Sequence, residues 1–157
     1  MSRKRRATKR KVAPDPIHNS VVLAKFINKV MISGKKSVAR RIVYKALETL
    51  TQRVNTESAL EAFETALENA KPSLEVKSRR IGGATYQVPI EIPSDRRTAL
   101  AMRWIIQNAR NKVGKNMTEG LFMELQDCFN TQGATIKKKD DTHRMAEANK
   151  AFAHYKW

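Results

Sequence analysis

Apolar positions recur at helical spacing through most of the chain and switch to strict alternation in a single stretch. Val22, Leu23, Phe26, Ile27, Val30 and Met31 predict a first helix, with Ser20 as its N-cap and Gly34 as its C-cap glycine. A second helix is predicted over about residues 36–54, with Val38, Ile42, Val43, Ala46, Leu47, Leu50 and Val54 facing the core. Its other side begins at Lys35 and Lys36 and continues through Arg40, Arg41 and Lys45. A third helix, about 57–71, packs through Leu60, Phe63 and Leu67 and displays Glu57, Glu61, Glu64 and Glu68 as an acidic stripe.

Pro72 ends the helical run. Leu74, Val76, Tyr86, Val88, Ile90 and Ile92 then alternate with polar residues around Gly82-Gly83, which predicts a β-hairpin over about residues 73–92. Pro89 marks the second strand as an edge. Near the turn Lys77, Arg79 and Arg80 replace the apolar residues, so the ribbon should project, with a reach of roughly 20 Å at about 3.3 Å per residue. An isolated ribbon is marginal in water, so this one should have a partner in its working state.

The fourth helix should begin at Ser94 and Asp95 as capping residues and bury Ala101, Met102, Ile105, Ala109 and Val113. At about 100° per residue, Arg96, Arg103 and Arg110 align on the opposite side. Leu100 and Trp104 flank that stripe; Trp104 could stack on a base beside the arginines or pack against a neighbouring helix. A fifth helix should turn Met117, Leu121, Phe122, Leu125, Cys128 and Phe129 inward and close at Gly133. A sixth, from about Thr135, carries Lys137, Lys138, Lys139, Arg144 and Lys150 and ends in Phe152, His154, Tyr155, Lys156 and Trp157, aromatics interleaved with cations. The fold class is therefore mainly α: a six-helix, bundle-like body with one protruding β-hairpin and a disordered basic N-terminal arm. The arm spans residues 1–12, and residues 13–157 form a single helical domain.

Charge gives this fold a direction. The 157 residues hold 31 Lys and Arg against 15 Asp and Glu, a net charge of +16, which calls for an anionic partner. Arg3, Lys4, Arg5, Arg6, Lys9, Arg10 and Lys11 crowd the arm without an acid among them. With no apolar period, such a segment orders only on a polyanion. The rest of the chain is basic too, which favours a phosphate-binding arm over a solubilising tail or a nuclear-localisation run. No apolar run reaches the roughly 20 residues of a membrane span, and Ala13-Pro14-Asp15-Pro16 offers no secretory h-region after the basic run. A soluble, basic, intracellular domain is expected.

Catalytic chemistry finds no foothold. The one cysteine allows neither an intrachain disulfide nor a cysteine cluster, and the three histidines lack metal-ligand spacing. Gly34-Lys35 and Gly114-Lys115 lack the rest of a P-loop. His143 beside Asp140 and Asp141 is an ordinary helix neighbour with no nucleophile placed to use it. The chain reads as a binding protein without metal or cofactor. A basic helical DNA-binding regulator is the competing reading, which would self-associate on a palindromic duplex. A small nucleic-acid-modifying enzyme is a third, for which no acid/base or metal constellation can be assembled.

Four ordered stretches carry a resemblance over nearly the whole chain. They are Pro14-Asp15-Pro16 through Leu23-Ala24-Lys25-Phe26 to Gly34-Lys35-Lys36 and Ile42-Val43-Tyr44; Glu75-Val76-Lys77-Ser78-Arg79-Arg80 with Gly82-Gly83 and Tyr86-Gln87-Val88-Pro89; Ala99-Leu100-Ala101-Met102-Arg103-Trp104-Ile105; and His143-Arg144-Met145-Ala146-Glu147-Ala148-Asn149-Lys150 through Trp157. In these the chain resembles the bacterial form of the small-subunit ribosomal protein seven family. The resemblance implies a primary binder of the 3′ major domain of small-subunit rRNA that nucleates assembly of the subunit head. It implies a place at the subunit interface near exit-site tRNA and mRNA, contacts with small-subunit proteins nine and eleven, and possible repression of its own operon mRNA. The implied setting is the cytoplasmic ribosome, with a plastid stroma as the alternative left open.

The expected rRNA contacts are Arg3, Lys4, Arg5, Arg6, Lys9, Arg10, Lys11, Lys35, Lys36, Arg41, Arg79, Arg96, Arg97, Arg103 and Arg110. Those expected near tRNA or mRNA are Arg79, Arg80, Gly82, Gly83, Tyr86, Arg144, Tyr155 and Trp157. Structured RNA is read through shape, backbone and unpaired bases, so cations distributed over rigid elements suit it.

Overall fold

The computed structural model describes residues 10–155. In chain order these form α1 (Val21–Val30), α2 (Lys36–Val54), α3 (Ala59–Ala70), β1 (Leu74–Ile81), β2 (Ala84–Glu91), α4 (Ser94–Arg110), α5 (Met117–Phe129), α6 (Gly133–Ala148) and a closing 3-10 helix (Lys150–Tyr155). The fold is mainly helical with one antiparallel hairpin, as the periodicities predict. Arg3, Lys4, Arg5, Arg6, Lys9 and Trp157 lie outside the described residues.

Local chemistry starts several helices. The hydroxyl of Ser20 accepts from the Leu23 amide at 3.3 Å, satisfying a backbone donor that the first turn leaves unpaired. Ser58 and Asn116 do the same for the amides of Glu61 and Glu119, at 3.4 and 2.9 Å. The core then assembles around α5, which packs against α2, α3, α4 and α6. Leu121, Leu125 and Cys128 of α5 are fully enclosed, and Phe26 of α1 meets Phe63 of α3 with ring centroids 5.0 Å apart. Burial pushes the Cys128 thiol up to about 12, aided by the charge of Glu124, so it is the inert apolar filler its register suggests. Gly120 permits the closest approach: a Cβ there would sit 2.5 Å from the Ala109 carbonyl oxygen of α4.

Several expectations need correction. Gly34 does not cap α1, which stops at Val30 with the Met31 amide on the Ile27 carbonyl. Gly34, at φ +73, forms the turn into α2 instead. Gly133 does not close α5; at φ +87 it opens α6, pressed against Asp127. Ala39 rather than Val38 joins the core, because it lies one turn before Val43 whereas Val38 is displaced by about 100° and is 46% exposed. Val113 lies beyond the end of α4 and is exposed. Pro93 occupies the N-cap of α4, so neither Ser94 nor Asp95 caps it from the N-cap position.

Three buried or half-buried acids, Asp15, Glu75 and Glu124, tie elements together through partners distant in the sequence. Asp15 accepts from the amides of Ile17 and His18, each at 3.2 Å, and from the Tyr44 hydroxyl at 2.8 Å, which fastens the approach to α1 onto α2. Burial alone would raise its carboxyl, but the bonds from Tyr44, His18 and Ile17 outweigh that and hold it below its ordinary value. Burial and the bond to Asp15 push Tyr44 up to about 12. Glu124, 1% exposed, accepts from the Thr135 amide and hydroxyl at 3.1 and 2.6 Å and pairs with Lys112 at 3.2 Å. Burial works against the Lys112 ammonium, yet its bonds to Asp127 and Glu124 hold its affinity for the proton above the ordinary value.

The hairpin is held at its base. Glu75 of β1 takes a bidentate guanidinium from Arg96 of α4, with N–O distances of 2.8 to 3.0 Å. Arg97 donates to the Ile92 carbonyl at 2.7 Å, and the Ser73 amide donates to Nε2 of His143 at 3.0 Å. Burial, then the charge of Lys139, keep His143 below its ordinary value, favouring the neutral ring this acceptor role requires. Gly82 and Gly83, at φ +57 and +89, supply the two left-handed residues of a tight hairpin turn between Ile81 and Ala84. The ribbon finds its partner within the chain: Tyr86 of β2 packs on Phe152 and Tyr155 of the 3-10 helix, with centroids 5.2 and 5.4 Å away.

Gly120→Ala should cost about 1–3 kcal/mol in thermal or denaturant unfolding, because the added methyl meets backbone. Tyr44→Phe should cost about 1.5–3 kcal/mol, the usual worth of a hydrogen bond to a charged group. Because Asp15 is held below its unfolded value of about 3.9, its contribution is present above that pH and disappears as the pH falls through the lower folded value. The acid limb of the stability curve should therefore be flatter in Asp15→Asn than in the parent. Glu75→Gln should speed amide hydrogen exchange across the hairpin while α2 and α5 keep their protection.

Candidate nucleic-acid interface

The exposed cations of α1 and α4 face one another across a shallow groove. Lys25 and Lys29 follow one another at helical spacing on the open side of α1, and Arg103 and Arg110 do so on α4. Three adjoining depressions run along this surface. The first, about 830 Å³, lies between α1 and α4 and is lined by Arg10, Lys11, Lys25 and Lys29. The second, about 460 Å³, is bounded by Lys29, Arg103, Gln107 and Arg110. The third, about 330 Å³, has an apolar floor and is rimmed by Lys35, Arg110 and Lys115. Lys29 lines the first two and Arg110 the last two, so the cations form one continuous surface from the end of the arm to the start of α2.

Asp95 is the only acid among the residues lining these depressions. Glu61, Glu64 and Glu68 are exposed on α3, with Glu57 exposed just before its N-cap, and none of the four lines these depressions. Burial, and after it the charge of Arg103, hold the Lys29 ammonium below its ordinary value. Two backbone carbonyls fix the geometry: Lys29 donates to Ala99 at 3.2 Å and Arg110 donates to Val30 at 3.2 Å.

The remaining expected residues divide by what holds them. Arg96 and Arg97 are engaged at the hairpin base, Arg96 with its charge opposed by Glu75, so the predicted three-arginine stripe contributes Arg103 and Arg110 to the open surface. Lys36 begins α2 beside Lys35, and Arg41 is exposed on α2 outside the three depressions. Arg79 stands opposite Tyr86 in the register and Arg80 opposite Thr85, both exposed near the tip. Nothing surrounds Gly82 or Gly83 closely enough to keep a ligand's backbone away. Tyr86 and Tyr155 are half-buried against Phe152, and Arg144 is paired with Asp141 on the open side of α6. Trp104 is 8% exposed, packed with Ile92 and Leu100 and covered by Lys138 at 5.8 Å, which settles its role as packing.

Sequence reasoning left out Lys25, Lys29 and Lys115 as contributors to the surface. Lys25 and Lys29 could have been found, since they share the polar side of an amphipathic helix. Lys115 joins only because the α4–α5 loop folds back beside α2. Among the described residues no cluster of His, Cys, Asp and Glu suited to a metal is present, and no helix is long and apolar enough to cross a membrane.

Residues 2–150 match the family described as ribosomal protein S7p/S5e. The chain is 69% identical to a protein of Protochlamydia amoebophila (strain UWE25), 68% to one of Chlamydia pneumoniae and 66% to one of Chlamydia caviae, each called small ribosomal subunit protein uS7. In all three the similarity extends over 157 residues, the whole of this chain and the whole of the relative. The chain belongs to the ribosomal protein S7p/S5e family, and its work is structural, not enzymatic.

Proposed function

We propose that this chain, a structural ribosomal protein of the small subunit, binds folded rRNA through the cationic surface that joins α1, α4 and the start of α2. The observation that carries this reading is the continuity of charge: Lys29 and Arg110 link three depressions whose other cations are Arg10, Lys11, Lys25, Arg103, Lys35 and Lys115, with Asp95 as the one acid lining them. Rigid helices present these charges, so phosphates spaced along a folded RNA can be met without ordering a loop. The anchoring arm, Arg3 to Lys11, would extend this surface from its α1–α4 end, where Arg10 and Lys11 already lie.

The family resemblance supports the finer assignment to the 3′ major domain, with a nucleating role in head assembly and a working place on the ribosome. The hairpin tip with Arg79, Arg80, Gly82 and Gly83, and the C-terminal region with Arg144, Tyr155 and Trp157, would approach exit-site tRNA and mRNA. Proteins nine and eleven of the small subunit are the proposed neighbours, and the operon's own mRNA is a second RNA that the same cations could hold. The family displaces the DNA-binding regulator as the explanation of the charge.

Binding to deproteinised small-subunit rRNA, measured across a salt series, tests the reading. Neutralising roughly 6–10 phosphates should weaken the affinity by about 10³–10⁵ between 50 and 200 mM salt. The double variant Lys35→Gln, Arg103→Gln should reduce the salt slope by about two while leaving thermal unfolding in place. An affinity indifferent to salt would refute a phosphate-based interface.

A further inference from the structure

The third depression differs from its neighbours in having an apolar floor. Val30, Ile32, Val38, Ala39, Ile42, Ala109 and Met117 meet there, where the α1–α2 turn crosses the end of α4 and the start of α5. Ile32 is 62% exposed and Val38 46%, so two aliphatic side chains stand open to water beside a surface otherwise chosen for charge. Singly exposed apolar residues need no explanation, but these two line the same concavity. Lys35, Arg110 and Lys115 line the same concavity; no acid lines it, although the Lys115 ammonium lies 3.8 Å from the exposed carboxylate of Glu119 just outside.

We propose that this depression receives a single unpaired RNA base, its apolar floor covering the base while Lys35, Arg110 and Lys115 hold the phosphates on either side. The inference rests on the rRNA-binding reading and specifies one subsite of it. Charge complementarity selects the occupant: an apolar anchor from another protein would bring its own backbone, neutral and without phosphates, to three cations. A base splayed from a loop is a flat, largely apolar group whose own chain supplies an anion on each side. Arg110 is suited to a second task. Its guanidinium is held by the Val30 carbonyl at 3.2 Å, and a fixed guanidinium plane is a surface on which bases stack. The cavity, about 330 Å³, is of the size at which small-molecule sites begin.

The double variant Ile32→Ser, Val38→Ser removes the floor without touching a charge, and both positions are exposed enough for the fold to tolerate it. Its affinity for deproteinised small-subunit rRNA should fall about tenfold, with the salt slope unchanged because no phosphate contact is lost. Base-directed chemical probing of the same complexes should show one unpaired nucleotide protected by the parent and reactive with the variant, while backbone protection around it persists. Unchanged affinity with no nucleotide altering its reactivity would overturn the inference, and a steep salt slope in the parent would leave the rRNA reading intact. A variant that keeps its rRNA affinity but loses a protein from reconstituted small-subunit particles would overturn it in favour of a protein anchor. Loss of the salt slope in the parent would remove both readings together.

Discussion

Repulsion among the cations of α1 and α4 is the constraint around which the molecule is arranged. Burial and, after it, the nearby charge of Arg103 lower the proton affinity of Lys29, and like charges held this close work against folding. The opposing force comes from the other side of the same helices. Leu23, Phe26 and Ile27 of α1 and Ala101, Met102 and Ile105 of α4 are almost wholly withdrawn from water. Burying one such large aliphatic or aromatic side chain is worth about 1.5–3 kcal/mol, whereas one pair of like charges at a wet surface costs about 1 kcal/mol or less. The apolar faces therefore decide where the cations stand, and the cations have no local means of moving apart.

Where the acids go follows from the same constraint. Several are withdrawn into internal ties: Asp15 with Tyr44, Glu75 with Arg96, Glu124 with Thr135 and Lys112. Four others are gathered on α3 and immediately before it, outside the three cationic depressions. A random scatter of the same fifteen acids would have placed several against the lysines and arginines of α1 and α4 and quenched the field. Segregation keeps the surface potential high at the cost of a protein that repels itself on one side, a cost that a bound polyanion relieves.

Much of this was legible in the residues, and the failures have definite causes. Helical period located α2 to the residue at both ends, and Gly82-Gly83 between alternating strands located the hairpin turn. Gly34 and Gly133 misled because a left-handed glycine serves a tight interhelical turn as readily as a helix end, and only the path of the chain says which. Ser58 with Glu61 and Asn116 with Glu119 carried the three-residue spacing of helix starts, so those caps were readable. Asp15, Glu75 and Glu124 were not. Their partners Tyr44, Arg96 and Thr135 lie 29, 21 and 11 residues away, beyond any local pattern. The same limit applies to the binding surface: the arginine stripe on α4 could be read from its seven-residue spacing, but not that Arg96 leaves the stripe to clamp the hairpin.

Arg96 and Lys112 on one hand, and Lys29 and Arg110 on the other, differ in the kind of atom each meets. Arg96 and Lys112 meet carboxylates, which oppose their charge as well as fix their position. Lys29 and Arg110 meet backbone carbonyls, of Ala99 and Val30. A carbonyl is a dipole with no net charge, so it orients a cation and leaves the full positive charge to act outward. Arg110 gains most, because the Val30 carbonyl belongs to the last turn of α1, where backbone acceptors lack helical partners and carry partial negative charge. The end of one helix thus positions a guanidinium from another at the junction of two depressions. A charge already held in place gives up less conformational freedom when a phosphate arrives, which is the physical advantage of building this surface on helices and not on loops.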